Sequence, residues 1–447
     1  MIGAGACGIT AAKALADVGL SFQCFEKGDR VGGNWLFKNK NGQSSAYRSL
    51  HINTSRERMQ FRDFPMPKDY PDYPRHELIA RYFESYAQAF DLHRHIRFET
   101  TVERAEPRAQ GGFRLTLAGG QSEEFDALIV ANGHHWDPAW PEPMVAGEFS
   151  GLELHSHSYV DPDEPYSLRG KRVLVVGMGN SAMDIACELG YPGVATQVFL
   201  SARRGAWVLP KYAFGKPIDQ NSLLPAFLPT ALRRTLAELW YRLAVGRPED
   251  FGLPKPDHRL HQAHPTMSSE ILTRLGSGDV RAKPALVELA GQRVHFSDGS
   301  SEEVDAIIYA TGYKVSFPFF DAQFVSAKDN DLPLFLRIFP LDREDLFFVG
   351  LAQPVGAVMP LAEAQAKLVA EALSGGYDLP SARERSEHSA RERAAMFARY
   401  VPSRRHTMQL DFDEYMAELA REAEAGRLRA RHREARSERA ALPARRP

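Results

Sequence analysis

Cysteine is scarce in this chain. Cys7, Cys24 and Cys187 are the only three in 447 residues. No two stand at CxxC spacing, which excludes a dithiol redox pair, a cysteine zinc site and a disulfide-stapled build. They read as reduced thiols and point to a cytoplasmic protein. Long apolar runs are also missing. The longest uncharged stretch that matters, residues 346–362, contains Gln353, Pro354 and Pro360 and falls short of a bilayer span, so no membrane anchor is expected. The N-terminus has neither the basic nor the apolar region of a secretory signal. The 15 His show no HExxH or comparable spacing, so no metal is expected. Nor is there an excess of one charge: 55 Lys+Arg stand against 57 Asp+Glu, a net −2, which argues against nucleic acid as a partner. The balance is uneven, however. Residues 427–447 carry eight Arg and two Glu, a net +6 that leaves −8 for the rest. Hydrophobic residues at 44% and charged residues at 25% describe a globular protein long enough for two or more domains.

What is present is a pair of glycine-rich turns, each set between a strand and a helix. The first is Gly3-Ala4-Gly5-Ala6-Cys7-Gly8, followed by a helix-like stretch, Gly19, and a short strand from Ser21 to Phe25 that ends at Glu26. In such a GxGxxG turn the first glycine permits the tight bend. The second lets backbone N–H groups approach a pyrophosphate, and the third lets helix and strand pack closely. The helix N-terminus adds positive partial charge, and an acid at the end of the next strand accepts from ribose hydroxyls.

The second turn is Gly177-Met178-Gly179-Asn180-Ser181-Ala182, after the apolar run Val173–Val176 and before a helix through Leu189. Its following strand, Gln197–Ser201, ends not at an acid but at Arg203-Arg204. A basic pair there suits the 2′-phosphate of NADPH. Two dinucleotide sites in one chain imply a relay in which a nicotinamide hands a hydride to a second, tightly held cofactor. The fold class is therefore α/β, with two nested Rossmann-like dinucleotide-binding domains.

Other segments read as follows. Residues 76–90 have the spacing of an amphipathic helix. Residues 113–117 and 124–131 are strands. Residues 216–265 are Pro-rich, with an apolar helical stretch at Leu232–Leu243. Residues 293–311 form a hairpin around Asp298-Gly299 and then a buried strand. A helix covers about 361–373, with Pro360 at its first position. A further helix carries Phe412, Tyr415, Met416 and Leu419 on one face and has Gly426 as its C-cap. The Arg-rich end from Arg427 reads as a disordered or frayed tail.

The first turn is followed by Val31-Gly32-Gly33-Asn34-Trp35, then Ile52-Asn53-Thr54 and Asp63-Phe64-Pro65-Met66-Pro67. Residues Phe149 to Tyr159 fit the pattern FxGxxxHxxxY. The GxGNSA turn, Ala310-Thr311-Gly312-Tyr313, and Gln353-Pro354 with Gly356 complete the set. In these motifs, over about residues 1–365, the chain resembles the flavin-containing monooxygenases, NADPH-dependent N- and S-oxygenating flavoenzymes. It departs from them at Val160, where Lys or Pro is usual. It departs again in having only Met1 and Ile2 before Gly3. Several more apolar residues would complete that central strand, and their loss amounts to ~5–10 kcal/mol, so the expectation is that the sequence starts downstream of its native start.

The resemblance implies FAD at Gly3, Ala4, Gly5, Ala6, Cys7, Gly8 and Glu26, with Asn34 and Trp35 along the flavin or its phosphates, Thr54 facing the FAD, and Gln353 among the cofactor-binding residues. It implies NADPH at Gly177, Gly179, Asn180, Ala182, Arg203 and Arg204, with Ser181 and Asp184 meeting its pyrophosphate or holding that loop. Asn53 is the implied catalytic residue, shielding a C4a-hydroperoxyflavin that passes oxygen from O2 to a small soft nitrogen or sulfur nucleophile. His155 is expected to serve the linker rather than the chemistry. The implied division is an FAD domain at 1–164 and 313–426, an NADPH domain at 165–312, and the tail at 427–447. Two other readings use the same parts. One is a Baeyer–Villiger monooxygenase, whose fingerprint prefers Trp at Tyr159. The other is an NADPH oxidase or non-catalytic nucleotide-binding protein.

Overall fold

A computed structural model describes residues 1–220, 230–260, 262–400 and 407–441. The first glycine turn leads into helix α1 (Ala6–Asp17), which buries Ile9, Ala11, Ala12, Ala14 and Leu15. Strand β1 (Cys24–Phe25) and strand β2 (Leu128–Val130) lie on either side of Ile2, both parallel to it. Short as it is, this N-terminal segment pairs on both edges. Ile2 donates to the Ile129 carbonyl and its own carbonyl accepts from Ala131, both at 2.9 Å, while Met1 and Gly3 bond Phe25 at 3.0 and 2.9 Å.

The chain then crosses into a second sheet. Strands β3 (Leu152–His155), β4 (Arg172–Val176), β5 (Gln197–Ser201), β6 (Val280–Lys283) and β7 (Ala306–Tyr309) form a fully parallel sheet in the order β6-β5-β4-β7-β3. Helix α2 (Asn180–Leu189) follows β4. The apolar runs in β4 and β7 have no polar side because both faces are covered. Val173, Val175, Ala306 and Ile308 pack with α2. Leu174, Ile307 and Tyr309 pack instead with Leu289, Val294 and Phe296 of a hairpin sheet. That hairpin, Arg293–Phe296 against Ser301–Glu303, closes around Asp298-Gly299 as its turn residues dictate. The Pro-rich segment contains the helix Thr230–Ala244; its residues 221–229 and 261 lie outside the described residues.

The return crossing is Tyr313–Lys314, antiparallel to Asp137–Pro138. Strand β8 (Leu346–Phe348) then adds to β2 in parallel. Strand β9 (Gln353–Val355) leads into helix α3 (Val358–Leu373), which packs along α1. Strand β10 (Gln409–Asp411) pairs with β9, and helix α4 (Phe412–Ala441) follows.

Four expectations need correction. The boundary expected at 164 lies beyond two strands, Ala146–Phe149 and Leu152–His155, that already pair within the inserted sheets. Pro360 is the third residue of α3, not the first; it is tolerated because N–H groups in the first turn have no intrahelical acceptor. Gly426 is not a C-cap but lies inside α4, where a Cβ would stand 2.0 Å from the Tyr377 ring. The tail is not disordered from Arg427: α4 continues to Ala441, with Ala430 buried. Arg427 pairs with Glu371 at 2.7 Å and Arg433 with Asp378 at 2.5 Å. Its arginines thus meet carboxylates contributed by α3 and the loop after it, a fit that local composition does not reveal. Residues 442–447 lie outside the described residues.

Candidate active site between two dinucleotide turns

The first turn is shaped for close approach. Gly3 has φ +98°, and a Cβ there would stand 2.6 Å from the Ala131 carbonyl. A Cβ on Gly8 would meet the Gly3 carbonyl at 1.9 Å. Gly5 faces Gly33, its virtual Cβ 3.5 Å from that Cα, so the Gly33–Trp35 turn passes directly over the phosphate loop. Glu26 is buried, and its two oxygens accept from Ala4 N–H at 2.7 Å and Gly28 N–H at 2.6 Å. It therefore holds the turn itself. Each carboxylate oxygen keeps a further acceptor position for a ribose hydroxyl. Cys7 sits against Gly350, and burial pushes its thiol up to about 12, so it is an unreactive packing residue. Asn34 turns its amide oxygen to the Ser45 N–H and hydroxyl, at 2.8 and 2.9 Å. Trp35 packs half-buried against the core around α1.

The second turn repeats the design. A Cβ on Gly177 would stand 2.4 Å from the Ala310 carbonyl, and Gly179 precedes the first residue of α2. Asn180 accepts from Met267 N–H at 2.8 Å, tethering the helix start to the Thr266–Met267 strand. Ala182 is buried beneath the turn and Ser181 half-buried beside it. Asp184 does something the sequence did not suggest: its carboxylate accepts from the Tyr47 hydroxyl at 2.5 Å, joining the inserted unit to the first one. Burial pushes the Asp184 carboxyl upward. Arg203 and Arg204 are both exposed but not equivalent. Arg204 pairs with Asp257 at 2.8 Å. Arg203 has no ion-pair partner among the described residues, which leaves it the freer cation for a phosphate.

Between the turns lies the loop Ile52-Asn53-Thr54-Ser55. Asn53 Oδ1 is buried without a hydrogen-bond partner. Thr54 donates to the Gly356 carbonyl at 3.3 Å, bringing this loop to the segment that begins at Gln353. The Gln353 N–H is used by the Met408 carbonyl at 2.8 Å. Three residues from the inserted unit reach the same loop, none of them part of a sequence motif: Gln220 Nε2 donates to the Ser55 hydroxyl at 3.1 Å, and Asp219 and Lys211 join it. Asp219 accepts from Ser55 N–H at 2.6 Å, and Lys211 Nζ lies 3.5 Å from the Ile52 carbonyl. The only sequence signal was their place after the second turn, Lys211 just before the Pro-rich stretch and Asp219 and Gln220 within it.

The FxGxxxHxxxY residues are structural. A Cβ on Gly151 would collide with the Phe149 ring and the Asp305 carbonyl, both at 2.6 Å. Tyr159 donates to Glu188 of α2 at 2.8 Å. His155 is 2% exposed, its Nδ1 accepts from His157 N–H at 3.1 Å, and burial lowers it to about 4. It is a neutral linker residue packed by Trp140 and Tyr313.

Two glycine cradles that any Cβ would fill, a free arginine past the second and an orphaned amide oxygen between them fit two dinucleotides meeting end to end. These features define a tandem dinucleotide-binding protein. The description of the flavin-binding monooxygenase-like family matches residues 1–427, and the chain belongs to that family. It is 38% identical over 440 residues to flavin-containing monooxygenase 5 of Oryctolagus cuniculus, covering 94% of this chain and 81% of the relative. It is 36% identical over 442 residues to dimethylaniline monooxygenase [N-oxide-forming] 2 of Pan troglodytes, covering 94% and 82%. Among solved structures, the S-allyl-L-cysteine S-oxygenase of Allium sativum superposes with TM-score 0.70 at 26% identity over 94% of this chain and 87% of that one. A steroid monooxygenase bound to NADP shares the fold at TM-score 0.70 and 18% identity, over 95% and 97%. The protein is an FAD- and NADPH-dependent monooxygenase. No helix among the described residues is long and apolar enough to cross a membrane.

Proposed function

We propose that this enzyme oxygenates a soft nitrogen or sulfur nucleophile, with Asn53 as the residue at the reacting centre. The observation that carries the assignment of Asn53 is its buried amide oxygen without a partner, on a loop that touches both the Gln353–Gly356 segment and the inserted unit. A buried acceptor of this kind costs free energy unless a ligand satisfies it. Bound FAD, reduced by NADPH, supplies the oxygen-activating chemistry.

The chain's own residues bind, orient and exclude water. Gly3 to Gly8 and Glu26 hold the FAD phosphates and ribose. Gly177 to Ala182 take the pyrophosphate of NADPH at the start of α2. Arg203 reads the 2′-phosphate. Asn53 can donate through Nδ2 and accept through Oδ1, so it can hold both the nicotinamide carboxamide and the reacting oxygen. The N-oxide-forming relative and the S-oxygenase neighbour support nitrogen and sulfur as the atoms attacked. The first unit with α3 and α4 is read as the FAD domain and the inserted sheets as the NADPH domain. Three free thiols, each pushed upward by burial, support a cytoplasmic location.

The test is to incubate the FAD-loaded enzyme with NADPH and O2 beside a tertiary amine, a thioether and a cyclic ketone. Mass spectrometry should find one added oxygen as N-oxide or sulfoxide. A lactone alone would select the Baeyer–Villiger reading, and hydrogen peroxide alone an NADPH oxidase.

A further inference from the structure

Lys211 is fixed by its surroundings before any ligand arrives. Its backbone N–H donates to Ser269 Oγ at 2.9 Å, and its carbonyl accepts from the Tyr73 hydroxyl at 2.6 Å and from Ile218 N–H at 2.9 Å. The side chain extends from the inserted unit across to the first one. Its ammonium sits 5.0 Å from the centre of the Tyr73 ring and 3.5 Å from the Ile52 carbonyl. Among the described residues no carboxylate comes within ion-pair distance of it. An ammonium has three N–H donors, and the Ile52 carbonyl uses one of them weakly. Burial pushes this lysine downward and Asp184 pulls it back up. That cost is incurred to hold a cation pointing at the loop that carries Asn53.

Two landmarks say what passes here. Asp184 stands one turn into α2, whose N-terminus takes a pyrophosphate. Ile52 directly precedes Asn53. A dinucleotide with its pyrophosphate on α2 and its nicotinamide at Asn53 must run between these points, while its adenine half turns the other way toward Arg203. We infer that Lys211 clamps the nicotinamide riboside of NADP(H), donating to its ribose hydroxyls and carboxamide oxygen, and so keeps the oxidised nucleotide in place after hydride transfer. The inference rests on the reading of Asn53 as the residue at the nicotinamide end of the site. It gives the segment that leads into the Pro-rich stretch a function: to bring a fixed cation from the NADPH side to the flavin side, with Ile218 of that stretch holding its backbone.

The experiment is calorimetric titration of FAD-loaded enzyme with NADP+ and, separately, with 2′,5′-ADP, which has the adenine half and its phosphate but no nicotinamide riboside. Wild type, Lys211→Met and Lys211→Arg are compared, with FAD content and melting temperature measured for each. Lys211→Met should weaken NADP+ by roughly tenfold or more, as for loss of a charge-assisted hydrogen bond. Binding of 2′,5′-ADP should stay within about twofold of wild type, and Lys211→Arg should recover most of the NADP+ affinity. Equal losses for both ligands, or loss of neither, would overturn the assignment. So would unchanged NADP+ binding with a KM raised only for carboxylate-bearing substrates, which would make the ammonium a substrate site. Should Lys211→Met lose FAD, Lys211→Arg and Lys211→Gln carry the same comparison. These titrations involve no turnover, so a failure of the Asn53 reading would show separately, as unchanged coupling in an Asn53 variant.

Discussion

Glu26 Oε2 accepts the backbone N–H of Ala4 at 2.7 Å, so the acid at the end of β1 and the glycine turn it serves are one hydrogen-bonded unit. Its other oxygen holds Gly28 N–H at 2.6 Å. The residue expected to read a ribose also sets the shape of the loop that receives the phosphates.

Glu26→Ala should therefore cost both stability and cofactor. Two buried N–H donors would lose a charged acceptor, roughly 2–4 kcal/mol in total. The variant should melt lower and elute from gel filtration with little flavin absorbance. Glu26→Gln, which keeps one acceptor oxygen in place, should fall between.

Asn53→Ala should still allow NADPH to reduce FAD, because both glycine cradles remain and Lys211 still faces the nicotinamide end, and should act mainly on the steps after reduction. The fraction of NADPH oxidised that appears as hydrogen peroxide rather than product should rise several-fold, on the order of the 1–3 kcal/mol at stake in one buried hydrogen bond. Unchanged coupling would remove Asn53 from the chemistry.

Arg203→Ala should raise KM for NADPH about tenfold or more and leave KM for NADH almost unaltered, since only the former carries the 2′-phosphate. Arg204→Ala should do less, because Arg204 is already paired with Asp257. Equal effects on both nucleotides would mean that Arg203 does not read the phosphate.

His155 predicts an acid sensitivity. Burial lowers it to about 4, with the nearby His157 adding to the shift, whereas in the unfolded chain it titrates near 6.5. The native state thus keeps it neutral, and the unfolded state binds the extra proton as pH falls below about 6.5. Its contribution is complete above that pH and is lost progressively toward pH 4. The melting temperature should drop across that interval, and His155→Phe, packed between Trp140 and Tyr313, should flatten the drop. An unchanged slope would assign the sensitivity to other groups.

The parts of the fold that local chemistry dictates were legible in the sequence. Strand Gln197–Ser201 is found as read, and both glycine turns stand where their spacing put them, because Gly3, Gly5, Gly8 and Gly177 each answer to a backbone only a few ångströms away. What escaped depends on distant partners. Gly426 looks like a helix stop until the Tyr377 ring is seen to need its missing side chain. The Arg-rich end looks solvated until Glu371 and Asp378 are placed beside it. Asp184 reads as a phosphate-loop residue, yet its partner is Tyr47, 137 positions earlier. Lys211 and Asp219 carry no motif, and only the docking of the insertion on residues 52–55 brings them to the site.

The position of β8 sets an order of assembly during synthesis. All five strands of the inserted sheet lie between residues 152 and 309, and most of their core comes from the middle of the chain, with Tyr47 and Leu50 added from the N-terminal part. The first sheet must wait for Leu346–Phe348 to pair beside β2, and α1 must wait for α3. A ribosome releases the N-terminal elements first, so the half that carries the first glycine turn remains open longest, with α1 lacking its main packing partner α3. The half that carries the second glycine turn can close early, whereas the first turn gains its full packing only once α3 and β8 have been made. The first glycine turn is thus made first and completed last.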